Sequence, residues 1–276
     1  MYKSDSSKHL PPELEPSCRE NLSSGSIEHY AEPLYYDKCY AKRQHDVEYY
    51  KSIAASAKTV LEHGCGNGRI AIPIARDGIE VVGVDMSGPM LEAFRNRMEA
   101  EPIEVRDRIH LIQADMRTIN IVRRFDLVIC AFNTFLHLYN RVDVEQFLSR
   151  VRSQLAPGAR FAFDTSLPLP EELGRDPRRP FRVPRMKLPQ SGQIVRYAEY
   201  FDYERMSQVL KITMRFEPVD DPDGAWTVLL THRQYYPQEI ETLLHYNGFV
   251  LESVHPNMGG GEREVDSIGW VAKARG

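Results

Sequence analysis

Val60-Leu61-Glu62-His63-Gly64-Cys65-Gly66-Asn67-Gly68-Arg69 joins an apolar run to a turn with three glycines, and a helical pattern follows to about Arg76. Strand, glycine turn and helix in that order bring backbone close to a ligand, because each missing side chain opens room and frees φ. A dinucleotide fingerprint would read G-x-G-x-x-G, whereas here the third glycine is Gly68 and Arg69 comes next. The spacing therefore favours a nucleotide-like ligand other than a nicotinamide dinucleotide.

Working outward, Val81-Val82-Gly83-Val84-Asp85 is a second buried strand that ends in an acid. Asp85 lies about 20 residues beyond the glycine turn, where an acid can hold a ribose diol. Leu111-Ile112-Gln113-Ala114-Asp115-Met116 ends a third strand with another acid, and a fourth apolar run spans Phe125 to Asn133. A helix over 46–57 leads in, further helices follow at 89–98 and 142–155, and a fifth strand is predicted at 160–164. Such alternation, with short continuous apolar strands, marks a parallel sheet covered on both faces, and it puts the distinctive polar residues at one sheet edge.

After Asp164 the pattern changes. Residues 165–192 hold many prolines and the basic run Arg175, Arg178, Arg179, Arg182, Arg185 and Lys187. That run reads as a solvated loop, with recognition of a carboxylate or phosphate as the alternative. Strand-like stretches at 194–203, 206–216 and 226–235 then predict an antiparallel insertion. A helix at 237–246 and strands at 249–255 and 267–273 close the chain.

These residues together resemble the class I S-adenosylmethionine (SAM)-dependent methyltransferases over about residues 46 to 164. The resemblance implies an α/β fold: a Rossmann-like seven-stranded sheet flanked by helices, with the antiparallel insertion forming a lid after the fifth strand. It implies that Gly64, Cys65 and Gly66 line the methionine and ribose part, that Glu62 orients the methionine amine, and that Asp85 binds the ribose hydroxyls. It also implies that Met86 flanks adenine, that Asp115 and Met116 read its edge, and that Phe132 belongs to the cofactor site. Within the class, the chain is most similar to the glycine/sarcosine and amino-sugar N-methyltransferases, whose N-terminal Tyr-Asp element matches Tyr36-Asp37. Tyr36 then closes over the sulfonium or the acceptor. The same aromatic start, with Tyr30, Tyr35 and Tyr40, also reads as a packed hydrophobic cover.

Methyl transfer from a sulfonium is an in-line displacement, so alignment and exclusion of water dominate. A hydroxyl or ammonium acceptor must also lose a proton, and His137, just after the fourth strand, is the candidate base, with a hydrogen-bonded structural histidine as the other reading. His63 reads as packing at the strand end.

The 276 residues carry a formal net charge of -4, which leaves no positive field for nucleic acid. Apolar runs are too short for a membrane span, no secretory pattern opens the chain, and a cytoplasmic location is expected. Cys18, Cys39, Cys65 and Cys130 lack paired spacing and read as reduced thiols. No histidine shows metal-ligand spacing, so no metal is expected. The organisation expected is a flexible tail at 1–28, an N-terminal cover and SAM-binding core at 29–164, an acceptor lid at 165–235, and a terminal helix and hairpin at 236–276. The function implied is transfer of a methyl group from SAM to N or O of a small-molecule acceptor, leaving S-adenosyl-L-homocysteine (SAH). A nicotinamide-dependent oxidoreductase and a non-catalytic SAM-binding protein are the alternatives, and a homo-oligomer is left open.

Overall fold

The computed structural model describes residues 22, 24–40, 43–260 and 264–275. Its strands are β1 (Thr59–His63), β2 (Glu80–Asp85), β3 (Ile109–Gln113), β4 (Phe125–Cys130), β5 (Leu155–Ser166), β6 (Phe181–Lys187), β7 (Ile194–Glu204), β8 (Val209–Pro218), β9 (Trp226–Arg233), β10 (Phe249–Pro256) and β11 (Ser267–Ala274). Its helices are α1 (Pro33–Tyr40), α2 (His45–Ala54), α3 (Ala71–Arg76), α4 (Gly88–Glu99), α5 (Ile103–Arg106), α6 (Arg141–Gln154), α7 (Pro170–Leu173) and α8 (Pro237–Tyr246).

Seven strands form the main sheet in the order β10-β11-β5-β4-β1-β2-β3. The five strands from β3 to β5 are parallel, and β11 runs antiparallel between β5 and β10. Val60 packs with Ile72 and Ile74 of α3 on one face, and Leu61 packs with Phe147 and Leu148 of α6 on the other. Burial on both faces is why these strands read as continuous apolar runs rather than alternating ones. Strand order reverses between β1 and β4, which opens a crevice above their carboxyl ends. The expected seven-stranded sheet and its antiparallel insertion are both present.

The insertion has four strands, β6-β7-β8-β9, where three were expected. The extra one, β6, comes out of the basic stretch, so Arg182, Arg185 and Lys187 lie on an edge strand rather than in a loop. Its pairing with β7 shifts register between Val183 and Met186, the interval that holds Pro184. Proline gives the ladder no N–H and is tolerated at such an edge irregularity, so a proline-rich composition concealed a strand.

The segment expected as a tail, 1–28, holds the 3-10 turn Ser24–Ser26 and the start of a second, Glu28–Tyr30, and both turns pack on β9. Gly25 is buried there, and a Cβ on it would lie 2.4 Å from Thr231 Oγ1. The Leu229 N–H donates to Glu28 Oε2 at 2.9 Å. Residues 24–28 are therefore part of the fold, because glycine lets the turn sit against the sheet; residues 1–21 and 23 lie outside the described residues.

Candidate functional site

The glycine turn is shaped by what surrounds it. Gly64 and Cys65 both donate backbone N–H groups to the Val84 carbonyl, at 2.7 and 3.1 Å, which ties the turn to the end of β2. Gly64 has φ +71°, and a Cβ there would come within 2.4 Å of Thr134 Cγ2, so glycine is required on both counts. Asn67 Nδ2 donates to Asp37 Oδ1, joining the turn to α1. Arg69 forks onto Asp46 with contacts of 2.8 and 2.6 Å, joining it to α2.

Asp85 is held from two sides: its Oδ2 accepts the Gly66 N–H at 2.7 Å and its Oδ1 accepts the Ser87 N–H at 2.8 Å. Burial raises its pKa, and these backbone donors act in the opposite direction. One strand away, Glu62 is fully buried, and its Oε2 has no hydrogen-bond partner among the described residues. Burial pushes its carboxyl up to about 8, with Arg69 opposing. Asp115 accepts a fork from Arg117, whose other branch reaches Asp143 at 3.1 Å, so Arg117 bridges the β3 end to α6. Hydrogen bonding to Arg117 holds the Asp115 carboxyl below its usual range.

At the end of β4, Phe132 and Asn133 occupy left-handed backbone, φ +57° and +61°, two successive non-glycine residues in a costly region. Asp164 holds them there. Its Oδ1 accepts the Phe132 N–H and its Oδ2 the Asn133 N–H, while the Tyr50 hydroxyl donates to Oδ1 at 2.6 Å. The Arg43 and Arg69 guanidiniums, both paired with Asp46, lie over the Phe132 ring at 4.8 and 4.7 Å from its centroid.

An aromatic cover completes the site. Tyr36 is 6% exposed and packs against Tyr30, Tyr40 and Phe132. His137 has both ring nitrogens engaged: Nε2 with the Tyr30 hydroxyl at 3.0 Å and Nδ1 with the Tyr139 hydroxyl at 3.2 Å. Burial lowers the His137 pKa to about 4, so the ring is neutral at physiological pH. Tyr139 in turn meets Thr231 Oγ1 of β9 at 2.7 Å.

These groups enclose a cavity of about 500 Å³ at the carboxyl ends of β1, β2, β3 and β4. The structure brings Tyr36, Gly64, Gly66, Asp85, Met86, Asp115, Met116, Phe132 and His137 to its walls. Glu62, buried near the end of β1, is not among the lining residues. Cys65 belongs to the turn by its backbone and is not among the residues that line the cavity. Its side chain is 4% exposed and packs toward Gly83, whose missing Cβ would meet Sγ at 2.8 Å. Its thiol packs in the core below the turn. His63 also packs, against Phe147, with Nε2 on Gln154 Oε1 at 2.9 Å. Sequence reasoning missed Tyr30, Thr134 and Asp164 as site residues. Asp164 carried the same signal as Asp85, an acid closing a buried strand. Tyr30 carried only the general signal of the aromatic start, and Thr134 carried none.

A crevice at the carboxyl edge of this strand order, with a glycine turn after β1 and an acid after β2, defines a class I methyltransferase fold. Residues 60–158 match the methyltransferase domain family. A glycine/sarcosine N-methyltransferase of Halorhodospira halochloris is 33% identical over 104 residues, 37% of this chain and 37% of the relative. A ubiquinone biosynthesis O-methyltransferase of Coxiella burnetii is 26% identical over 42% of this chain and 46% of the relative. The chain thus spans less than half the length of these curated relatives. The CcbJ methyltransferase of Streptomyces caelestis shares the fold over 84% of this chain and 89% of its own, with TM-score 0.69 at 21% identity. The glycopeptide N-methyltransferase MtfA in complex with SAH aligns over 82% of this chain and 86% of its own, with TM-score 0.58 at 25% identity. Among the described residues no group of three or more His, Cys, Asp or Glu is placed to hold a metal. Nor is any helix there long and apolar enough to cross a membrane.

Proposed function

We propose that this chain is a SAM-dependent methyltransferase that transfers a methyl group to nitrogen or oxygen of a small-molecule acceptor at the carboxyl edge of β1, β2 and β4. The observation that carries the reading is Asp85, whose carboxylate is clamped by Gly66 and Ser87 N–H groups at the wall of a 500 Å³ cavity. Such an acid, with lone pairs left over, suits a pair of vicinal ribose hydroxyls. Glu62 supports it: a buried carboxyl oxygen without a partner is costly unless a ligand donor meets it, and an ammonium group does so. Gly64 and Gly66 both line the cavity in left-handed backbone, and a Cβ on Gly64 would collide with Thr134 of the same wall.

In this reading Glu62 faces the ammonium of the cofactor's methionine part, Asp85 accepts from the ribose, and Asp115 and Met116 border the adenine, with Met86 flanking it. SAM, when bound, supplies an electrophilic methyl carbon whose bonding pair to sulfur leaves with the sulfur. Tyr30, Tyr36 and His137 exclude water from that carbon and aim the acceptor at it. Where the acceptor bears a proton, the Tyr30 oxygen takes it while the Tyr30 hydroxyl proton passes to His137 Nε2. A neutral His137 is ready for that step, and Tyr139 orients it from the Nδ1 side.

Incubation with SAM carrying a deuterated methyl group and a metabolite extract, followed by mass spectrometry, tests the proposal. The expected result is formation of SAH together with a labelled small molecule. Binding of SAH with no labelled product and no SAM consumed would leave a non-catalytic binder instead.

A further inference from the structure

A second cavity, about 580 Å³, lies beneath the insertion sheet. It meets the first at two places: Tyr40 and Asn133 line it beside Phe132, and His232 lines it with its ring centroid 5.1 Å from that of His137. An opening of this size accommodates a metabolite-sized ligand. Its lining is unusual for the inner face of a sheet. Strand alternation places Val195, Tyr197, Glu199 and Phe201 of β7 on one face, and Glu199 pairs in register with Met214 of β8. Val195 and Met214 on that face are core residues, so a carboxylate amid them needs a reason.

Glu199 Oε1 accepts from the Tyr197 hydroxyl at 2.7 Å, which fixes it without neutralising it. Glu172 of α7 lines the same cavity, and no lysine or arginine does among the described residues. Arg175, which acts on Glu172, has its guanidinium stacked 4.6 Å from both the Phe181 and Phe201 ring centroids. His29 and His232 contribute no charge near neutral pH, because burial lowers both pKa values. The cavity also holds an unanswered polar atom: His29 is 4% exposed and lines it, and its Nδ1 has no partner among the described residues. Two carboxylates, the rings of Tyr35, Tyr40 and Tyr197, and no cation on the wall form an environment for an organic ammonium.

We infer that this cavity is the acceptor site and that the acceptor carries a cationic nitrogen held by Glu199 and Glu172, with β6 contributing apolar wall through Val183, Pro184 and Met186 but none of its basic side chains. The inference rests on the methyltransferase reading. It runs against recognition of a carboxylate or phosphate by Arg182 and Arg185, because neither lines the cavity.

The test uses benzylamine, benzyl alcohol and benzoate, with their cyclohexylmethyl counterparts, titrated into the SAH-saturated protein and followed by ligand-observed NMR. The amines should bind at least tenfold more tightly than the alcohols and acids. Glu199→Gln should erase that preference, Glu172→Gln should reduce it, and both variants should still bind SAH as wild type does. An amine bound no better than its alcohol or acid counterpart, or an amine preference surviving in the Glu172→Gln/Glu199→Gln double variant, overturns the inference. Failure of the wild type to bind SAH would instead sink the methyltransferase reading itself.

Discussion

Glu62 shows how far a single side chain can be argued. It ends a strand in a dry place, its Oε2 lacks a partner among the described residues, and burial pushes its pKa from 4.5 to about 8. Between those two values the folded protein keeps a proton that the unfolded chain has lost, so stability falls as pH rises from 4.5 to 8 and levels off above. Glu62→Gln cannot ionise and should flatten this fall, which thermal unfolding of wild type and variant at matched pH values would reveal; parallel curves would show that Glu62 is solvated after all. His137 behaves in the opposite sense. With its pKa near 4 it is neutral well below its ordinary 6.5, so turnover should show no inflection at that ordinary value. His137→Ala should lower turnover by ~10²-fold to 10⁴-fold while sparing SAH affinity, and Tyr30→Phe should lower turnover in the same direction. Wild-type rates in both variants on the true acceptor would remove the pair from catalysis and leave alignment as their role.

At the scale of elements, the 3-10 turns before α1 connect the two sheets: Tyr30 reaches His137 at the cleft, while Gly25 and Glu28 dock on β9. Gly25→Val would drive a side chain into Thr231 and lift the turn. Turnover should fall by at least tenfold and SAH affinity by less, while far-UV circular dichroism stays unchanged, and kinetics equal to wild type would mean the turn has no part in the site. The main sheet was legible because burial on both faces leaves continuous apolar strands, and because Asp85 and Asp115 mark their carboxyl ends. The turns at 24–30 were not legible: Ser, Gly and charge look alike in a tail and in a turn held by distant segments, β9 above all. The edge strand β6 was hidden for a related reason, since an exposed strand needs no apolar face and Pro184 argues against pairing. In the site itself, the acids at strand ends could be read directly, as could the glycine turn. The orientation of Cys65 toward Gly83 and the engagement of His137 by Tyr30 depend on contacts between distant segments, which no local pattern encodes.

Over the whole molecule, the main sheet positions one cavity at its carboxyl edge, and the insertion sheet roofs a second beside it. No insertion strand lines the first cavity, so ligand binding there is a property of the core and its N-terminal cover. The central claim is that this cavity holds SAM through Asp85, and isothermal titration of SAH into wild type and Asp85→Ala, with NAD as the competing ligand, tests it most directly. Wild type should bind SAH saturably at one site and NAD not at all, and the variant should lose ~1 to 3 kcal/mol, roughly 5- to 150-fold in Kd. Unchanged SAH affinity in Asp85→Ala, or tighter binding of NAD than of SAH, would contradict it.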